Sequence, residues 1–261
     1  VVAFFSAVDG GSLQPEQLSI SPWSRSQIGG YAICGTLARA IERSQQAVGF
    51  TPVRLTVDLF TPVRTELLDT RSVIVRSGPR IEVIDSDIVQ NGQVMARASA
   101  LFVAVGDEPQ GELWHSNDPL PDAPDTVDVV APPVFKSGDG PWSGDFSAHQ
   151  NSERKSVWQN FPPLIAGEVM SPFQRAALMA ETTSLVCHWG TAGAGFINVD
   201  TTLALSRLPV GSGLGLRADS QVSENGISVG TATMFDRLGH LGNCTVTAIA
   251  NARRQVDLGS R

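Results

Sequence analysis

The sequence predicts an α+β fold made of two tandem units, each a long helix backed by an antiparallel sheet. Three observations carry this expectation: a helical run followed by four strand-like runs, the same order repeated further on, and an acidic, proline-rich stretch between the two. Residues 106–140 hold six of the chain's sixteen prolines, eight acidic residues and one basic residue, Lys136. Such a segment neither continues a helix nor joins a central strand, and its like charges keep it extended. The expected organisation is an N-terminal unit over 1–105, a linker over 106–140 and a C-terminal unit over 141–261.

In the first unit, Gly29-Gly30 opens GGYAICGTLARAIERSQ, where Tyr31, Cys34, Leu37, Ala38 and Ile41 recur at three- and four-residue intervals and mark one buried helix face. The runs VRLTVDLFTPV, TRSVIVRS, RIEVIDSDIVQ and QVMARASALFVAV follow, each alternating with period two, the last two joined at an Asn91-Gly92 turn. In the second unit SPFQRAALMAETTSLVCHW is helical. It starts at Ser171-Pro172, a capping residue followed by proline at the first helical position. FINVDTTLALSRL, GLGLRADSQVS, GISVGTATMFD and HLGNCTVTAIANA then read as strands. From Gly30 to Asp58 is 28 residues and from Pro172 to Asp200 is also 28, which suggests an internal duplication equating the two aspartates. Gly35, Ala38, Ala176, Ala177 and Ala180 suit close packing of each helix against its sheet.

Composition narrows the function. The chain of 261 residues is 42% hydrophobic, enough to bury a sizeable core. Its net charge of −7 disfavours a nucleic-acid partner. The linker's acidic excess accounts for that whole charge, so the two units together are formally neutral and an anionic ligand is not repelled. Cys34, Cys187 and Cys244 are far apart, with no metal-type spacing, and His115, His149, His188 and His240 are scattered, so no metal site and no cofactor are expected. The opening VVAFFSAV lacks a basic lead and reads as a strand, not a leader. The uncharged stretch 182–199 is broken by His188, Asn198 and three glycines, so no membrane span is expected, and a cytoplasmic location fits these signals. There is no GxSxG elbow. Adjacent Cys187 and His188 fall on different helix faces and make a poor nucleophile–base pair.

SPWSRSQIGGYAICGTLARAIE, VRLTVDLFTPV and GQVMARASALF, with LMAETTS, INVDTTLALSRLP and LRADSQVSENGISVGTATMFDRLGHLGNCTV in the second unit, resemble the double-hotdog acyl-CoA thioesterases, the TesB-like or thioesterase-like superfamily. The resemblance implies hydrolysis of acyl-CoA thioesters without metal or covalent intermediate, by a water that an Asp, a Ser or Thr, and a Gln hold. Carried over by position, these fall on Asp200, Ser220 and Thr247. Thr247 departs from the family's Gln and lacks its amide. Gln221, beside Ser220, is a weak substitute because consecutive strand residues face opposite ways. Glu181 falls where the family often carries an acid, and a helix carboxylate serves as base or nucleophile in single-hotdog enzymes.

A thioester site needs an aligned water, a carboxylate to take its proton and donors for the developing oxyanion. The N–H groups at Ile28-Gly29-Gly30, where the first helix begins, suit the carbonyl oxygen, so Gly29 and Gly30 are expected to bind substrate and to face Asp200. The substituted Gln keeps a second reading open, an acyl-CoA or acyl-carrier binding protein that does not hydrolyse. A hotdog dehydratase is disfavoured, since no His lies in the helix-entry segment. Edge strands that pair between chains leave room for a homo-oligomer.

Overall fold

The computed structural model describes residues 2–116, 118–125 and 131–259. The opening apolar run forms β1 (Phe5–Ala7), which pairs with β2 (Leu13–Pro15) in a small ribbon. The first unit continues with α1 (Gly30–Ser44), β3 (Phe50–Leu59), β4 (Asp69–Ser77), β5 (Ile81–Gln90) and β6 (Gln93–Ala104). After the acidic stretch come β7 (Val134–Ser137) and β8 (Lys155–Asn160), then α2 (Pro172–Glu181) and α3 (Thr183–His188). Short β9 (Trp189–Gly190), β10 (Gly193–Ala194) and β11 (Phe196–Asn198) lead into β12 (Asp200–Leu205), β13 (Gly213–Glu224), β14 (Ile227–Asp236) and β15 (Gly239–Ala250).

One 11-stranded sheet joins both units in the order β4-β5-β6-β3-β12-β15-β14-β13-β8-β7, with β11 added beside β15. The seam is the antiparallel pair β3–β12. The helices pack on one face of this sheet and against each other, over a single core that takes in both units. Small residues allow that contact. A Cβ on Gly35 would lie 2.9 Å from Leu178 Cγ of α2, so this glycine serves helix-on-helix packing and not, as expected, packing on the sheet.

The duplication holds, but in a different register. Met95 in β6 and Leu241 in β15 are each left unpaired at a bulge just beyond a hairpin turn. Their spacing, 146 residues, also separates Thr56 from Thr202, which face each other at the seam with hydroxyls 3.3 Å apart. The pseudo-twofold axis therefore passes through this threonine pair. Asp58 and Asp200 are not counterparts. They are cross-strand neighbours, and Asp200 corresponds to Arg54.

Two further boundaries differ from expectation. The second helix is interrupted at the β-branched Thr182, the one residue between α2 and α3. Within 106–140, Val134–Ser137 forms the edge strand β7, paired with β8. Residues 118–124 lie on the second unit: Arg217 donates to the carbonyls of Asp118 and Pro119, and Arg237 donates to that of Pro124.

Candidate active site

Antiparallel packing of α1 and α2 brings the end of each helix to the start of the other. Where α2 begins, Ser171 caps it by accepting from the Gln174 N–H, and the Glu42 carboxylate of α1 accepts from Ser171 Oγ and Gln174 Nε2. Burial pushes the Glu42 carboxyl up, and these two hydrogen bonds pull it back. That end is occupied by protein groups.

At the opposite end, Glu181, the last residue of α2, lies against Gly30, the first of α1. A Cβ on Gly30 would sit 2.5 Å from Glu181 Oε1, so only glycine leaves room for the carboxylate. Glu181 Oε1 accepts from Asn198 Nδ2 at 3.4 Å. No cation pairs with it among the described residues, and burial raises its carboxyl to about 7, with the Asn198 bond acting in the other direction. Tyr31 lies alongside: its ring is what a Cβ on Gly29 would meet, at 2.5 Å, and its hydroxyl donates to the carbonyls of Leu18 and Ile20. Burial and the Glu181 charge lift the Tyr31 hydroxyl to about 12.

The donors at this helix start are fewer than the sequence suggests. The Ile28 N–H is spent on the Val63 carbonyl at 2.9 Å and the Gly29 N–H on the Ser19 carbonyl at 2.8 Å. Neighbouring loops thus claim two of the three groups. The Gly30 and Tyr31 N–H groups have no backbone acceptor among the described residues, and they sit at the positive end of the helix dipole.

Asp200 and Thr247 do come together. Between β11 and β12 the register against β15 slips by one residue, and Asp200 closes the gap: Oδ1 accepts the Thr247 N–H at 2.5 Å and Oδ2 accepts Thr247 Oγ1 at 3.1 Å. The carboxylate that lies on Gly30 is therefore Glu181 and not the expected Asp200. Ser220 is not brought to Asp200. It is exposed on β13, its hydroxyl bonded to Thr231 Oγ1 at 2.8 Å, with β14 and β15 between it and β12. At roughly 4.8 Å per strand this is about 14 Å across the sheet. Gln221 turns to the other face, where its amide donates to Ser228 Oγ. Cys187 is no nucleophile, since burial first and the Asp219 charge second hold its thiol at about 12.

Sequence reasoning missed Asn198 and Tyr31. Tyr31 read as a buried-face residue. Asn198 reaches the helix face only because the bulge after it reverses the alternation, and a bulge leaves no mark in the period-two pattern.

Two family models match the chain. The acyl-CoA thioesterase N-terminal domain matches residues 19–103 and the acyl-CoA thioesterase C-terminal domain matches residues 105–250. The chain belongs to the acyl-CoA thioesterase family. Similar solved structures agree on the fold. A tesB protein of Mycobacterium avium subsp. paratuberculosis superposes with a TM-score of 0.66 at 16% identity, covering 94% of this chain and 95% of that one. A hot dog fold protein from Alicyclobacillus acidocaldarius gives 0.66 at 16% identity, covering 94% of each. An acyl-CoA thioesterase II of Mycobacterium marinum gives 0.64 at 14%, again covering 94% of each. No curated protein matches the chain by sequence. This thioesterase family member is thus an α+β double hotdog, and no helix among its described residues is long and apolar enough to cross a membrane.

Proposed function

We propose that the chain hydrolyses acyl-CoA thioesters at the start of α1, with Glu181 as general base. The observation that carries this reading is the Glu181 carboxyl, enclosed against Gly30, free of any ion pair among the described residues and raised to about 7. A carboxylate tuned to neutrality is ionised for part of the population at pH 7, yet basic enough to take a proton from water. The thioester carbonyl would point at the Gly30 and Tyr31 N–H groups, whose partial positive charge offsets the developing oxyanion. Water attacks the carbonyl carbon and gives its proton to Glu181. The tetrahedral intermediate then collapses, the C–S bond breaks, and the departing CoA sulfur takes that proton, which leaves free acid and thiol. Asn198 holds Glu181 in place. Because acyl-CoA is a metabolite of the cell interior, this reading puts the chain in the cytoplasm.

A second reading keeps the water on Asp200, with Thr247 beside it and Ser220 remote. It is favoured by the two bonds from Thr247, which fix the Asp200 carboxylate and leave it lone pairs for a water. Thiol release from a series of acyl-CoA chain lengths, measured on the wild type, Glu181→Gln and Asp200→Asn, separates the readings. Loss of more than about 100-fold in Glu181→Gln alone supports the first. The same loss in Asp200→Asn alone supports the second. A wild type that binds acyl-CoA by calorimetry without releasing thiol sinks both and leaves a binding protein.

A further inference from the structure

Just before Gly30 the chain folds into a compact rim. Ile20 and Ile28 form a bridge, the Ser21 N–H donates to the Gln27 carbonyl at 2.8 Å, and the Gln27 N–H donates to the Ser24 carbonyl at 3.2 Å. Pro22, Trp23 and Arg25 are carried out at its exposed tip. The base of the rim pairs with the loop that follows β3: Ile28 and Val63 are both buried, Gln27 bridges to Arg64, and the Thr65 N–H donates to the Ser26 carbonyl. One buried side chain fixes this second loop. The Gln90 amide accepts from the Arg64 N–H at 2.8 Å and donates to the carbonyls of Arg64, Glu66 and Leu67. The Tyr31 hydroxyl, donating to the carbonyls of Leu18 and Ile20, ties the rim to the start of α1.

This frame presents two guanidinium groups and an indole. Arg25 and Arg64 are exposed, and neither has an ion pair among the described residues. The adjacent Glu66 carboxylate accepts from Asn91 Nδ2 at 3.4 Å. Trp23 is 48% exposed, whereas Trp158 and Trp189 are 5% and 4%. We propose that the rim docks the nucleotide end of CoA, with Arg25 and Arg64 on its phosphates and the Trp23 ring stacked on adenine. The inference rests on the acyl-CoA reading above and adds how the chain tells CoA thioesters from other thioesters. A guanidinium fork fits phosphate oxygens in pairs, and an indole face stacks on a purine. Because Gln90 and the turn hydrogen bonds hold the backbone in place, little ordering is left to do on binding. From Gly30 back to Gln27 is at most about 11 Å of chain, so a nucleotide held here leaves the pantetheine arm to run to the Gly30 and Tyr31 N–H groups. A carrier protein brings the same arm without a nucleotide, and gives the indole no base to stack on.

The test compares thiol release from the acyl-CoA that turns over fastest with release from the matching acyl-pantetheine, which lacks the nucleotide. Circular dichroism checks that each variant folds. In the double variant Arg25→Ala, Arg64→Ala, KM for acyl-CoA is expected to rise at least about tenfold with kcat little changed, while kcat/KM on acyl-pantetheine stays at the wild-type value. Trp23→Ala is expected to raise the same KM about fivefold or more. Arg76→Ala, which removes an exposed cation from β4, is expected to leave it unaltered. Calorimetry with CoA and with adenosine 3′,5′-bisphosphate gives a second readout that needs no hydrolysis: both bind the wild type, and both bind the double variant at least about tenfold more weakly. A wild type that binds CoA in this way but releases no thiol removes the hydrolytic reading and leaves this one standing. The proposal is overturned if the wild type binds neither compound, if the double variant binds both as the wild type does, or if acyl-pantetheine turnover falls in parallel with that of acyl-CoA.

Discussion

The carboxylate of Glu181 occupies the space that a side chain on Gly30 would fill, 2.5 Å from the position of its missing Cβ. Two helices from different halves of the chain meet at this point, so the carboxylate from one is set at the dipole end of the other. In Gly30→Ala the new methyl meets Glu181 Oε1, Cδ and Cγ, and the carboxylate has to move. Alanine is the better helix former by up to about 1 kcal/mol, which compensates much of the crowding in stability but not in alignment. Thiol release is expected to fall at least tenfold while the melting temperature stays within a few degrees of wild type.

Glu181→Gln is expected to raise stability above neutral pH. The folded carboxyl, at about 7, lies above its ordinary value of 4.5, so the folded state holds a proton that the unfolded chain releases between these values. Stability from this group is complete below about pH 4.5 and is lost as pH rises to about 7. Glutamine keeps the neutral shape at every pH. Urea unfolding is expected to show the variant about 2 kcal/mol more stable than wild type at pH 8, with the gap closing at pH 4. The same ionisation predicts that wild-type kcat/KM rises through pH 7.

Asp200→Ala removes both acceptors used by Thr247 and leaves a main-chain N–H without a partner at the β11–β12 bulge. A loss of about 1–3 kcal/mol in urea unfolding is expected. Asp200→Asn keeps one acceptor for that N–H, so its stability is expected to stay closer to wild type.

Gly242→Ala tests the joint between β12 and β15. A Cβ there would lie 1.9 Å from the Ala204 carbonyl oxygen and 2.9 Å from Leu205 Cα, both backbone atoms that have no room to retreat. The variant is expected to lose several kcal/mol or to fail to fold, read from soluble yield and thermal melting.

Much of the fold was legible because apolar spacing and turn chemistry are local. The Asn91-Gly92 turn, the Ser171-Pro172 helix start and the long strands are all where the patterns put them. The duplication was legible too, but its register was not. The matching distances to Asp58 and Asp200 equate residues that in fact face each other, and bulges at Met95 and Leu241 were needed to find the axis at Thr56 and Thr202. Within the site, the sequence named Glu181, Gly30, Asp200 and Thr247 and put Asp200 with Thr247, but strand order decides that Ser220 is remote and helix packing decides which carboxylate meets Gly30.

By itself, then, the sequence determined the class of fold, two repeated helix-and-sheet units, and the family resemblance, because periodicity, turn residues and small-residue positions are properties of short segments. Only the tertiary structure decided that Glu181 and Asn198 meet the start of α1, that loops consume the Ile28 and Gly29 donors, and that Asp200 is bound to Thr247. Each of these depends on contacts between segments far apart in the chain, whose register is set by bulges and helix crossings that no local pattern records.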